Sequence, residues 1–129
     1  MNSKTASIVI GIIFLAVGLL GFASNPIIST SEHALFHMDS LHNYVHVITG
    51  LLFLIVGFAV PNMAPAFLKI FGAVYLLLGV MGLFMFGTEE TGKLLGFLHV
   101  NGADNFLHIG LGLIILLAGF LKPKQVVTM

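Results

Sequence analysis

Four apolar runs separated by short polar stretches dominate the chain. Thr5 to Ala23 holds no charged residue, His42 to Val60 has only His near its start, Ala66 to Phe86 has Lys69 in its first turn, and Asn105 to Leu121 has only His108. The runs are 17 to 21 residues long, and at about 1.5 Å per helical residue that just crosses a hydrocarbon core of about 30 Å. Each reads as a membrane-spanning helix. Asn25-Pro26 closes the first, Pro61 and Pro65 bracket a tight turn between the second and third, Gly87 ends the third, and Lys122-Pro123 ends the fourth. Ser29 to Leu41 reads as a short amphipathic surface helix with Ala34, Leu35, Phe36 and Met38 on its apolar side, and Lys93 to Val100 as the equivalent lid.

The pattern repeats. Shifted by 61 residues, Gly11, Gly18 and Gly21 of the first run fall on Gly72, Gly79 and Gly82 of the third, and Phe14 falls on Tyr75. Shifted by 62, the second run falls on the fourth and matches Asn43/Asn105, His46/His108, Gly50/Gly112, Leu51/Leu113, Leu54/Leu116, Gly57/Gly119 and Phe58/Phe120. The expected architecture is all-α and integral to the membrane: an antiparallel four-transmembrane-helix bundle built from a tandem two-helix repeat with a pseudo-twofold axis along the membrane normal. Residues 1–129 form one membrane domain, with repeats at about 5–60 and 66–121. A cleaved signal peptide is the competing reading of the first run, and the repeat argues against it.

Glycines indicate how the helices meet. Gly11/Gly18, Gly50/Gly57, Gly72/Gly79 and Gly112/Gly119 are heptad-spaced pairs, one on each span. Small residues on one line let helix backbones approach, which supplies van der Waals contact in a solvent with no hydrophobic drive between helices.

Composition and charge sharpen this picture. The chain is 58% hydrophobic and 8% charged, with a mean hydropathy of +1.10, which excludes an ordinary water-soluble domain. No Cys is present, so disulfides, thiolate metal sites and Cys nucleophiles are excluded together. Zero net charge and no Arg exclude nucleic acid as a partner; the lipid bilayer is the expected one, with a second copy or another membrane protein as a further candidate. Lys4, Lys69, Lys122 and Lys124 fall at one end, whereas Glu32, Asp39, Glu89, Glu90 and Asp104 fall at the other with Lys93. By the positive-inside rule both termini are cytoplasmic, and all six His lie at the outer face of the cell membrane.

The candidate chemistry is in those His. His42, His46, Gly50 and Gly57 share one helical face, and His108, Gly112 and Gly119 repeat it, so His46 and His108 are expected to meet near the axis. An intramembrane ionisable cluster is a site hypothesis by default. Three readings stay open. His and Asn lock the bundle, with Asn43 and Asn105 bonding the facing His and Ser40, Asn43, Asp104 and Asn105 capping helices; His42, His46, Asp104 and His108 hold a transition metal; or His46 and His108 hold a b-type haem. Proton relay by the same His is the remaining use. No Ser/His/Asp set or phosphate loop is visible, and Glu89-Glu90 has no partner, which points away from an enzyme.

The stretches L-H-N-Y-V-H at Leu41 to His46 and N-G-A-D-N-F-L-H at Asn101 to His108, each opening a Gly-Leu-rich span, resemble the small bacterial four-span membrane family known as domain of unknown function forty-three eighty-three. The resemblance covers the chain from the first span to Phe120. It implies a single four-span unit whose hallmark positions are His42, Asn43, His46, Asp104, Asn105 and His108, and it implies no activity. A weaker likeness, in layout alone, is to DoxX-type proteins. The expected function is a structural or partner-binding membrane module; the alternative is a metal- or haem-binding one.

Overall fold

The computed structural model describes residues 1–31, 33–88, 92–96 and 98–122. Glu32, Glu89, Glu90 and Lys124, used above for orientation, lie outside them, as do Pro123 and Phe97. Four helices dominate: α1 (Ser3–Leu20), α2 (Ser40–Ala59), α3 (Ala64–Phe86) and α4 (Gly102–Ala118). Their bounds lie within three residues of the apolar runs. A 3-10 turn, Pro61–Met63, joins α2 to α3. The segments Ser3–Leu20, Ser40–Ala59 and Pro61–Phe86 are each long and apolar enough to cross a membrane, and α4 is a shorter apolar helix of 17 residues. Large apolar side chains face outward along all four, among them Ile12, Ile55, Leu77, Phe84 and Ile114. Ser7, His42, Asn43, His46, Thr49, Asn105 and His108 are buried instead. This inverted distribution suits lipid as the surrounding solvent.

Helix α1 packs on α2 and α3 on α4. The heptad glycines lie in these two contacts. A Cβ on Gly18 would sit 2.9 Å from the Asn43 carbonyl oxygen, and one on Gly79 would sit 2.8 Å from that of Asn105. Gly11 meets Gly50, Gly57 meets Ile8, Gly72 and Gly112 meet the Leu116 and Leu76 backbones, and Gly119 meets Lys69. Between the pairs the contact is made by large side chains, with Ile10, Phe14, Phe53, Leu68, Tyr75 and Ile115 in one core. The Ser3 amide donates to the Lys122 carbonyl at 3.0 Å, tying the start of α1 to the end of α4.

Both surface segments depart from expectation. Among the described residues from Ile28 to Asp39 there is no helix, only two short strands, β1 (Ile28–Ser29) and β2 (Phe36–His37), paired in parallel. Asn25 organises the approach: its Oδ1 accepts from the amides of Ile27 and Ile28, and its Nδ2 donates to Leu20, Ala23 and Ile28 carbonyls. Ser29 Oγ donates to the Asn25 carbonyl and accepts from the Ser31 amide. These side chains bond nearby backbone in competition with a helix, which is why a Ser-rich stretch that resembles a cap does not start one. The second lid is an antiparallel hairpin of β3 (Gly92–Leu94) and β4 (Leu98–Val100). Leu94, Leu98 and Val100 are buried while Lys93 and His99 face the other way, a two-residue period that belongs to a strand. The turn uses positive φ at Leu95 (56°) and Gly96 (82°).

Candidate histidine centre

The site begins at two helix ends. Asp39 is the N-cap of α2, accepting from the His42 amide at 2.8 Å. Asn101 is the N-cap of α4; its Oδ1 accepts from the Asp104 amide at 2.9 Å, and Asp104 Oδ2 accepts from the Asn101 amide at 2.8 Å. This reciprocal capping box satisfies two donors that a helix start otherwise leaves open. The capping roles expected of Ser40, Asn43 and Asn105 therefore fall to Asp39 and Asn101, because the helices begin one to four residues earlier than those positions require.

From these ends three imidazoles converge. Ring centroids are 4.6 Å apart for His42 and His46, 5.4 Å for His42 and His108, and 6.3 Å for His46 and His108. One nitrogen from each ring can be chosen so that all three lie within 4.8 Å of one another. All three residues are buried. His42 Nδ1 donates to the His99 carbonyl at 3.1 Å, leaving Nε2 as the lone-pair nitrogen. That is the usual arrangement of a metal-ligating His, in which the second ring nitrogen is held by a carbonyl or carboxylate. Among the described residues, neither ring nitrogen of His46 or His108 has a hydrogen-bond partner. A buried polar group left unpaired costs about 1–3 kcal/mol, so these nitrogens ask for a ligand.

Aromatic rings close the centre on its inner side. Phe14 meets His46 edge-on at 5.6 Å, Tyr75 meets His108 at 5.7 Å, and Phe14 and Tyr75 contact each other at 5.1 Å. The Tyr75 hydroxyl donates to Thr49 Oγ1 at 3.4 Å. An apolar cavity of about 120 Å³ between α1 and α4, lined by Phe14, Val17, Leu107 and Leu111 among others, reaches His46 from the side.

The candidate residues thus divide. His42, His46 and His108 come together, while Asp104 is buried but directs one carboxylate oxygen at its own helix end. Asn43 and Asn105 do not bond the His. Their side chains lie against Gly21 and Gly82, where a Cβ would collide with each Oδ1. The His46 and His108 ring centroids are 6.3 Å apart, and the His42 ring stands against both. Sequence reasoning missed Tyr75 and Thr49 as neighbours of the centre. Thr49, three residues after His46, is a polar residue on the same face of an apolar run and was the available signal.

Above the centre, His37 on β2 and His99 on β4 meet edge-on at 4.5 Å. Both are half-buried. Burial, aided by His37 and Lys93 and opposed by Asp39, holds the His99 imidazole below its ordinary range. His33 is exposed and stays apart.

Fold and site together define a small helical protein with an apolar exterior and a buried polyhistidine centre at one end. The model of the family described as domain of unknown function (DUF4383) matches residues 4–121, and the chain belongs to that family. No curated protein and no solved structure matches the chain.

Proposed function

We propose that this protein binds one divalent transition-metal ion through His42, His46 and His108 inside a four-span membrane bundle. The observation that carries the reading is the convergence of three buried imidazoles on a common volume, with His42 oriented by the His99 carbonyl and the other two rings unpartnered. Neutral imidazoles suit Zn, Cu or Ni over Mg or Ca, which take oxygen ligands. Three nitrogens within 4.8 Å draw in to about 3.3 Å around a tetrahedral ion with metal–nitrogen distances of about 2.0–2.1 Å. Three protein ligands leave a fourth position for water or a substrate group, the pattern of open sites. The purely structural reading is less favoured, because a histidine lock needs hydrogen bonds and Asn43 and Asn105 supply none to these rings.

The architecture belongs to the same proposal. Helix α4 is followed by a tight turn in which the Phe120 and Leu121 amides donate to the Leu117 and Ala118 carbonyls, lengthening its apolar reach toward a fourth crossing. Equivalent glycine contacts in the two helix pairs support a duplicated unit. Lys4, Lys69 and Lys122 at one end support a cytoplasmic position for both termini, with the metal centre near the outer surface.

The test is elemental analysis with absorption spectroscopy on protein purified in mild detergent without a His tag or chelator. Near one equivalent of a transition metal, lost in His46→Ala and in His108→Ala, is expected. Wild-type protein that stays metal-free after incubation with Zn2+, Cu2+ and Ni2+ overturns the proposal and returns the cluster to a packing role.

A further inference from the structure

The buried centre has a second histidine pair above it, and the two are joined through one residue. His37 and His99 come from different halves of the chain, one on β2 and one on β4, and their rings meet at 4.5 Å where both are still partly open to solvent. His37 Nδ1 donates to the Ser31 carbonyl at 3.0 Å, so its Nε2 keeps a free lone pair. His99 is bifunctional by position: its ring belongs to the surface pair, while its carbonyl orients the buried ligand His42. From the surface inward, the His37 and His99 rings meet, the His99 backbone carbonyl reaches the His42 ring, and the His42 ring meets those of His46 and His108.

We infer that His37 and His99 form a second, weaker and solvent-facing site for a divalent transition-metal ion, which loads the buried three-imidazole site. The loading role rests on that buried site being a metal site; the surface pair itself does not. Two neutral imidazoles suit Zn, Cu or Ni, and two protein ligands hold an ion less tightly than three. Its weakness has a visible cause. Lys93 stands directly across the hairpin from His99, and an ammonium near a bound dication lowers its affinity. A weak outer site is what delivery needs, since an ion held tightly at the surface would not move on. With an outer station, the buried site receives an ion already held by imidazole rather than one fully hydrated from bulk water.

The experiment uses the full chain in detergent, stripped of metal, with Co2+ alone as probe because its visible bands report imidazole coordination. Wild-type protein is expected to titrate in two phases, a tight equivalent followed by a weak one. His37→Ala/His99→Ala, a surface change, is expected to remove the weak phase, keep the tight stoichiometry at one, and slow loading in stopped flow. The pair His46→Gln/His108→Gln, chosen to keep polar volume in the core, is expected to do the reverse. A single-phase titration, or a loading rate unchanged in His37→Ala/His99→Ala, overturns the inference. Loss of the tight phase from wild type with the weak phase still sensitive to His37→Ala/His99→Ala overturns the buried metal site and the loading role, and leaves the surface pair as a site by itself.

Discussion

The two helical pairs follow one plan and part at one position. In the first, Gly18 abuts the Asn43 carbonyl and Gly21 faces the Asn43 side chain; in the second, Gly79 abuts the Asn105 carbonyl and Gly82 faces the Asn105 side chain. Each second helix starts from an N-cap whose side chain accepts an amide three residues on, Asp39 for His42 and Asn101 for Asp104. His42 and Asp104 therefore fill the same slot, the third residue of α2 and of α4. There the chemistry diverges. The Asp104 carboxylate turns back to accept the Asn101 amide, whereas the His42 ring turns inward, donating one nitrogen to the His99 carbonyl and keeping the other free. An acid at this slot completes a capping box. An imidazole there is released to build a site. The difference at this slot makes the centre three imidazoles rather than two with a facing carboxylate.

The comparison can be broken at several levels. The largest effect is expected at the centre: His46→Ala or His108→Ala should weaken tight metal binding by at least about a hundredfold, beyond the usual cost of losing a second-shell partner. Asp104→Ala should leave binding within about tenfold, and an isothermal titration of the three variants distinguishes ligand from cap. Next come the seams. Gly18→Leu and Gly79→Leu force a side chain into a backbone contact and should each destabilise the protein by about 1–3 kcal/mol or more. Similar losses of thermal stability in detergent are expected for both; a loss confined to one would show that the pairs carry load unequally. The smallest effect is at the helix starts, where Asp39→Ala and Asn101→Ala should each cost about 1 kcal/mol. Asn101→Ala should be the costlier in thermal denaturation, since it also dismantles the reciprocal bond with Asp104.

Much of the fold was legible in advance. Apolar runs announce helices that can cross a membrane because every backbone polar group there must be paired within its own segment, and all four runs are helices. Heptad glycines announce close contact because their spacing is a property of one helix. The candidate site was half legible. His46 and His108 stood out as equivalent and inward, but the fate of Asp104 could not be separated from that of His42, since a carboxylate at the third helical residue can reach either its own N-cap or a neighbour. The partners of Asn43 and Asn105 were misjudged because a side chain's direction depends on which helix packs against it, and α1 and α3 lie closer to these residues than the His do. The surface strands were read as helix because Ser29 and Ser31 fit a cap equally well; their hydroxyls serve the loop instead.

By itself the sequence determined the four long apolar helices, the lipid-like exterior and the glycine lines, all of which follow from composition and spacing within single segments. Tertiary structure decided which polar residues share a volume. It brought His42 to His46 and His108, turned Asp104 away, and set the His37 and His99 rings against each other from opposite halves of the chain. The reason is that residues distant in sequence meet only once helix pairs have chosen their faces. Each buried polar group is then left with whichever partners that choice provides.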